Sequence, residues 1–417
     1  MRRLNNKALR ALFALMLLTL AAQAFAQAPA VSPSADTYKP TASPDRIVLT
    51  WSDDPATTQS VSWRTDTSVD KAVAQIAVAT PGPSVESQAR TVIATTSALA
   101  TKLWSANYHT VRFANLTPGT VYAYRVGDST RWSEWFQFRT ADSKPEPFSF
   151  IYFGDVQYGM LSVWSRIIRD SFRTAPDARF MAFGGDLVTD GTDDSLWGEL
   201  FAAGGWLYAT VPTIPVPGNH EYHDGDIDRA GLTKHWAAQF TLPANGPDGL
   251  KGDAYYFDYQ GVRVVSLDSM SYLLKEQADW LDKTLTNNPN RWSVVIFHHP
   301  FFSLAKGRDN ADVRNAWKPI VDKHKVDLVL NGHDHSYGRS ALTDSTVYVT
   351  STSGAKMYKL DKVDWPKRKA QDTQFYVVVS IDGDKLAFRA RTATGELYDS
   401  FDLIKQPGKP NLLVETR

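Results

Sequence analysis

Val326-Asp-Leu-Val-Leu-Asn-Gly-His-Asp-His-Ser-Tyr-Gly-Arg339 starts as an apolar run, breaks at Asn-Gly, and continues with two histidines two residues apart. An unbroken run of this kind suits a strand buried on both faces, which requires helices above and below its sheet. When such a strand stops at a glycine, the next side chains emerge at the carboxyl edge of the sheet, where open α/β sheets hold their ligands. His333 and His335 are therefore candidate metal ligands, neutral imidazole being a common donor to zinc, iron and similar cations. Alone, His-x-His is a weak signal, because two loop histidines would look the same.

The same texture recurs on both sides of this stretch. Apolar runs at Phe148–Phe153, Phe180–Phe183, Thr213–Val216, Val262–Leu267, Ser293–Phe297 and Val347–Val349 predict further strands. Helices are expected at Leu161–Phe172, Asp194–Tyr208, Lys275–Thr286 and Asp312–Lys325. Thr373–Ser380 and Lys385–Arg391 predict a closing hairpin. Four more strands end in ligand-type residues: Phe153-Gly-Asp155, Gly184-Gly-Asp186, Gly218-Asn-His-Glu221 and Phe297-His-His-Pro300. One such junction arises readily from packing, but an ordered series in one domain does not. Five of the nine histidines (His220, His298, His299, His333 and His335) fall inside these junctions, whereas His109, His235 and His324 lie outside them and read as structural.

Upstream, Arg46–Thr140 reads differently. Ile47–Trp51, Ser60–Trp63, His109–Phe113, Val121–Val126 and Glu134–Arg139 alternate with period two. About seven short strands in such a span predict an all-β sandwich. Leu116-Thr-Pro-Gly-Thr-Val-Tyr122 resembles the corner of fibronectin type III modules, where a tyrosine closes the turn into the next strand. The expected organisation is a segment 1–26, a linker 27–45, a fibronectin type III-like sandwich 46–141 and an α/β domain 146–405. Arg2, Arg3, Lys7 and Arg10 precede an apolar stretch, Ala11–Ala22, and Ala24-Phe-Ala26 has the small-x-small cleavage pattern. Residues 1–26 therefore read as a cleavable signal peptide, with a periplasmic or secreted mature chain. That apolar stretch falls short of the ~20 residues of a membrane span, and no later segment is long and apolar enough to make one. Lys+Arg equal Asp+Glu at 45 each, so no basic field invites nucleic acid. Cysteine is absent, which excludes disulfides, thiolate nucleophiles and cysteine-type zinc sites.

The ordered junctions, with Tyr255-Tyr-Phe-Asp258 running on to Leu267-Asp-Ser269, resemble the calcineurin-like metallophosphoesterases. The sandwich in front makes the chain similar to the purple acid phosphatases in particular. The resemblance implies an acid phosphatase-like enzyme in which two metal ions (Fe, Mn or Zn) activate a water that attacks a small phosphate monoester. Carried over by position, Asp186 would bridge both ions, Asp155 and His335 would hold the first, and Asn219, His298 and His333 the second. His220 would contact phosphate and protonate the leaving oxygen, oriented by Glu221 or Asp190. His299 and Arg339 would be further substrate contacts, and Tyr222, His223 and Asp224 could rim the pocket.

Two positions depart from the pattern. Purple acid phosphatases have a tyrosine ligand three residues past the bridging Asp, and Thr189 stands there, which predicts no purple chromophore. Other metallophosphoesterases have a histidine two residues past the first Asp, and Gln157 stands there; its amide oxygen is a candidate ligand of the first metal. Two other functions remain open on these residues. One is a phosphodiesterase or nucleotide pyrophosphatase, with the same metal core and different loops at Tyr222–Gly231 or Ser303–Asn310. The other is a catalytically impaired binding protein lacking the first metal. Oligomeric state has no readable signature.

Overall fold

A computed structural model describes residues 33–222 and 232–417. The expected signal peptide lies outside the described residues, as do His223 and Asp224. The sandwich comprises β1 (Asp45–Thr50), β2 (Gln59–Thr65), β3 (Val73–Val78), β4 (Arg90–Ile93), β5 (Thr95–Ala100), β6 (Ser105–Phe113), β7 (Val121–Gly127) and β8 (Phe136–Arg139). They form two four-stranded sheets in the orders β1-β2-β6-β5 and β4-β3-β7-β8, one strand more than expected. The short edge strands β4 and β5 are mostly exposed and carry little apolar alternation, so they have weak sequence signals. Leu49, Val61, Trp63, Val111, Phe113, Tyr124 and Phe138 fill the space between the sheets. At the predicted corner, Thr117 N donates to the Tyr122 hydroxyl at 2.8 Å.

The rest of the chain builds two seven-stranded sheets. β9 (Phe148–Phe153), β10 (Met181–Phe183) and β11 (Thr213–Pro215) are parallel neighbours in the first. The second begins with β12 (Tyr255–Tyr259), β13 (Val262–Ser266), β14 (Trp292–Ile296), β15 (Leu328–Asn331), β16 (Tyr337–Ser340), β17 (Val347–Thr350) and β18 (Pro366–Ala370). The chain then returns to the first with β19 (Phe375–Asp382), β20 (Lys385–Thr392), β21 (Leu397–Gln406) and β22 (Lys409–Glu415). The orders are β11-β10-β9-β19-β20-β21-β22 and β12-β13-β14-β15-β17-β16-β18. The hairpin β19–β20 is present as expected, but the sheet continues past residue 405, because β22 pairs with β21. Phe150, Tyr152, Val377 and Val379 of one sheet share a core with Val264, Val294, Leu328 and Val347 of the other.

Helices cover the outer faces. Those used below are α1 (Ser165–Thr174), α2 (Asp194–Gly204), α3 (Lys234–Gln239), α4 (Leu274–Thr286) and α5 (Ala311–His324). Leu281 and Leu285 of α4 and Trp317 and Val321 of α5 pack on Val265, Val295 and Val329. The result is a helix–sheet–sheet–helix stack, and the ends of β9, β10, β11, β14 and β15 meet along one edge. The sandwich is joined to it by both apolar and ionic contacts. Trp51 lies 5.7, 5.3 and 5.2 Å from the rings of Phe180, Phe257 and Tyr259. Asp194, at the start of α2, accepts from Arg46 at 2.7 Å, Arg64 at 2.8 Å, Trp104 Nε1 at 2.7 Å and His235 at 3.1 Å.

Candidate metal centre

Tight backbone turns bring the five strand ends together. Gly185 has φ +92°, and a Cβ there would lie 2.5 Å from His298 Nδ1; one on Gly218 would lie 2.3 Å from Asp186 Oδ1. Only glycine lets these loops close around the carboxylate. Asp186, His333 and His335 themselves have φ of 51°, 72° and 44°. Such left-handed conformations cost about 1–3 kcal/mol each away from glycine and persist where the surroundings enforce them. Part of that enforcement is Glu221, fully buried, whose carboxylate accepts from Asp186 N at 3.0 Å, Leu187 N at 2.9 Å and Gly218 N at 2.7 Å. One side chain thereby ties the Asp186 loop to the Asn219 loop.

The donor atoms converge on Asp186. Its Oδ2 is 2.8 Å from Gln157 Nε2 and 3.2 Å from His298 Nε2. Asn219 Oδ1 is 3.1 Å from both His298 Nε2 and His333 Nδ1, which are 3.2 Å apart. His335 Nε2 is 3.3 Å from Gln157 Nε2 and 3.8 Å from Asp155 Oδ1. Asp155, Asp186 and His335 form one group of potential ligand atoms lying within 4.8 Å of one another, and His298, His299 and His333 form a second. Backbone carbonyls aim two of the rings. His298 Nδ1 donates to Gly184 O at 2.8 Å and His335 Nδ1 to Lys356 O at 3.0 Å, which leaves each Nε2 lone pair facing the cluster.

The electrostatics suit cations. Burial pushes the Asp155 carboxyl up to about 7; the His298 charge opposes this and the Asp186 charge adds to it. Burial lowers His335 to about 3 and also depresses His333, keeping both imidazoles neutral as metal ligands must be. For His298 burial acts downward, but Asp186 and Asp155 outweigh it and push the ring up to about 9. A proton on His298 and a cation among these oxygens would satisfy the same negative field. Asp155 Oδ2 and Gln157 Oε1 are buried with no hydrogen-bond partner, as expected of oxygens shaped for an ion. Turning the Gln157 amide over would put its oxygen where Nε2 now meets Asp186 and His335. The residues present thus fit two hard-to-borderline cations.

Other expected site residues divide. His220 Nδ1 donates to Thr189 O at 2.5 Å, and its Nε2 lies 3.9 Å from Asp186 Oδ2. Neither carboxylate expected to orient it has that contact: Glu221 binds backbone N–H groups, and Asp190 Oδ1 caps Thr192 at 2.8 Å. His299 joins the second group, its ring 4.0 Å from that of His333 and its Nδ1 2.8 Å from Ser269 Oγ. Arg339 is a correction. It is fully buried, with its donors on Asp399 at 2.7 Å and Glu415 at 2.8 Å, so it braces β16 against β21 and β22 and is not presented to the cluster as a substrate contact was expected to be. The carbonyls of Gly184, Thr189 and Lys356 had no sequence signal, because every residue type carries one. Arg308, which donates to His333 O at 2.8 Å, lies outside every junction and is marked only as part of the Ser303–Asn310 loop.

Residues 44–140 match the family model "Purple acid Phosphatase, N-terminal domain", and residues 148–337 match "Calcineurin-like phosphoesterase". An uncharacterized protein of Mycobacterium tuberculosis is 30% identical over 266 residues, covering 54% of this chain and 49% of that protein. Purple acid phosphatase 21 of Arabidopsis thaliana is 28% identical over 242 residues, covering 56% of this chain and 54% of its own length. The chain therefore spans about half the length of the curated relatives it matches. Among solved structures, a purple acid phosphatase from yellow lupin (Lupinus luteus) seeds superposes with a TM-score of 0.70 at 19% identity, covering 86% of this chain and 74% of that one. PhoD superposes with a TM-score of 0.67 at 13% identity, covering 90% and 92%. At such identities these two likenesses speak for the fold alone.

Proposed function

The chain belongs to the calcineurin-like metallophosphoesterases of purple acid phosphatase-like architecture, and from that premise we propose that it is an exported, binuclear, metal-dependent phosphatase of small phosphate monoesters. The observation that carries this reading is the meeting of Asp155, Asn219, His298, His333 and His335 around Asp186, two of whose neighbouring oxygens are buried without partners. In the proposal the Asp186 carboxylate, between the two groups of donors, would serve both ions. Asp155, Gln157 and His335 would hold the first, and Asn219, His298 and His333 the second. Two ions held there would supply an activated water and neutralise the phosphoryl oxygens. His220, its Nδ1 fixed by the Thr189 carbonyl, presents Nε2 as the proton donor to the departing oxygen, and His299, in the second group of donors, is a phosphate contact. Export rests on the basic, apolar and small-residue succession within residues 1–26.

The deciding experiment pairs metal analysis of the purified protein with hydrolysis of a chromogenic monoester and diester. Two metals per chain and monoester turnover that disappears in Asp186→Ala support the reading. A diester preference would move the function to a phosphodiesterase. One metal or none, with no turnover under added Mn²⁺, Zn²⁺ or Fe, would leave an impaired binding protein.

A further inference from the structure

The turn that carries His220 is tied to both large sheets. It spans Asn219–Tyr222 and follows β11 of the first sheet. Its start is held within that sheet, where Glu221 accepts from Gly218 N at 2.7 Å and from Asp186 N at 3.0 Å. Its end crosses to the second sheet, where Tyr222, itself buried, donates its hydroxyl to Asp268 Oδ2. Asp268 lies just past β13, a strand whose end supplies none of the proposed metal ligands.

Asp268 is a firm anchor. It is fully buried, and its other oxygen, Oδ1, accepts from Met270 N at 3.0 Å and Ser271 N at 3.2 Å. Gln277 of α4, also fully buried, grips its backbone: Asp268 N donates to Gln277 Oε1 and Gln277 Nε2 donates to Asp268 O, both at 2.8 Å. Leu267 N donates to Ile296 O at 3.0 Å, which fixes the anchor to β14, the strand that leads into His298. A buried carboxylate costs stability unless its oxygens are satisfied, and a phenylalanine at position 222 would fill the same space without needing one. The hydroxyl–carboxylate bond is charge-assisted and directional, so what it adds beyond packing is a fixed position for the end of the turn.

We propose that Asp268, acting through the Tyr222 hydroxyl, is a positioning residue that sets where His220 stands against the second sheet. Asp268 itself touches neither the donor cluster nor the leaving oxygen. Asn219 adjoins Gly218, which Glu221 holds, whereas His220 lies between the two anchors and depends on both. Releasing the Tyr222 end would therefore loosen His220 more than Asn219. A misplacement of about 1 Å at a reacting group can cost as much as 10²-fold in rate, so a small drift of the ring would be felt. The inference rests on the hydrolytic reading above, in which His220 protonates the leaving oxygen, and its test also has a readout that needs no turnover.

The test uses the metal-loaded full chain, with metal content measured for each variant. Tyr222→Phe keeps the ring and removes only the hydroxyl. It should lower kcat on an alkyl phosphate about tenfold, with KM within about twofold and metal content unchanged. On p-nitrophenyl phosphate, whose leaving oxygen needs no proton, the loss should stay below about threefold. Asp268→Ala should reproduce this pattern, and adding Tyr222→Phe to it should cost nothing more, because both changes break one bond. If Asp268→Ala does not fold, Tyr222→Phe decides alone. Hydrogen exchange gives the second readout: amides of Gly218–Tyr222 should exchange about tenfold faster in Tyr222→Phe, while those of β9 and β14 keep the wild-type rate. Unchanged exchange in the turn, exchange raised throughout the domain, or equal losses on both substrates overturns the proposal. If wild type hydrolyses neither substrate, the phosphatase reading fails, and exchange alone decides whether Asp268 holds the turn.

Discussion

His220 Nδ1 lies 2.5 Å from the carbonyl oxygen of Thr189, so a backbone acceptor fixes which ring nitrogen faces the metal ligands. If Nε2 protonates the leaving oxygen, its loss should matter most when that oxygen is a poor leaving group. His220→Asn is expected to lower kcat by about 10²–10⁴ on an alkyl phosphate and far less on p-nitrophenyl phosphate. Equal losses across a leaving-group series would reduce His220 to a phosphate contact. Thr189→Ala should be nearly silent, because the acceptor is main chain.

Thr189 also bears on colour. A visible charge-transfer band in an iron-loaded centre of this kind needs a tyrosine phenolate on the metal, and the position that would supply it holds a threonine. Tyr222, the nearest tyrosine in sequence on the Asn219 loop, donates its hydroxyl to Asp268. Protein loaded with ferric iron should therefore show no phenolate band in its visible spectrum, and finding one would place a tyrosine on the metal.

Gln157 takes the place of a usual histidine ligand, and its Oε1 is buried without a partner while its Nε2 meets Asp186. A neutral amide oxygen binds a cation more weakly than a carboxylate does. Gln157→Ala should weaken the first metal about 10–100-fold, the scale seen when groups supporting a metal site are removed. Gln157→Glu should tighten it. Metal content after dialysis against graded chelator reads both, and unchanged retention in Gln157→Ala would remove Gln157 from the coordination set.

How much of this was legible in the sequence follows from what each signal is made of. The strands buried on both faces, such as Leu328–Asn331, announce themselves because both faces must be apolar, and the residues just past them are the candidate ligands. The exposed edge strand Arg90–Ile93 has no such constraint and was missed. The helix Ala311–His324 was placed within a residue despite Pro319, since the apolar positions Val313, Trp317 and Val321 keep helical spacing. What aims His220, His298 and His335 is main-chain carbonyl, and a carbonyl leaves no mark in a sequence. Arg339 misled for the opposite reason: it follows the His-x-His stretch closely, yet strand alternation turns it to Asp399.

Asp194 joins the two halves of the molecule. Burial alone would raise its carboxyl, but the His235 hydrogen bond and the Arg46 and Arg64 charges prevail and hold it far below the ordinary carboxylate range. A depressed folded-state pKa contributes stability above the unfolded value, about 3.9, and that contribution fades as pH falls below it. Asp194→Asn leaves two buried guanidinium groups without their shared anion, so it should destabilise by about 3–5 kcal/mol. The difference from wild type, measured by denaturant unfolding, should be flat from pH 7 to about 5 and shrink below about pH 4. A difference that instead grows toward acid would mean the carboxylate is not the source of the stability.

Arg339 provides a test of a site residue reassigned to the framework. Its guanidinium meets Asp399 and Glu415, and Tyr337 donates to the same Asp399 carboxylate at 2.7 Å. Removing one partner of a buried pair strands the other, so Arg339→Met should cost about 3–5 kcal/mol and lower the midpoint of thermal unfolding. Arg339→Met with Asp399→Leu removes the two fully buried charges and should recover part of the loss: the Phe401 ring beneath the guanidinium can pack against apolar replacements, but the Tyr337 hydroxyl is left without its acceptor. Through all of this KM for the monoester should stay within about twofold, since no donor of Arg339 reaches the metal ligands. A raised KM in the folded single variant, not restored in the double, would return Arg339 to the substrate.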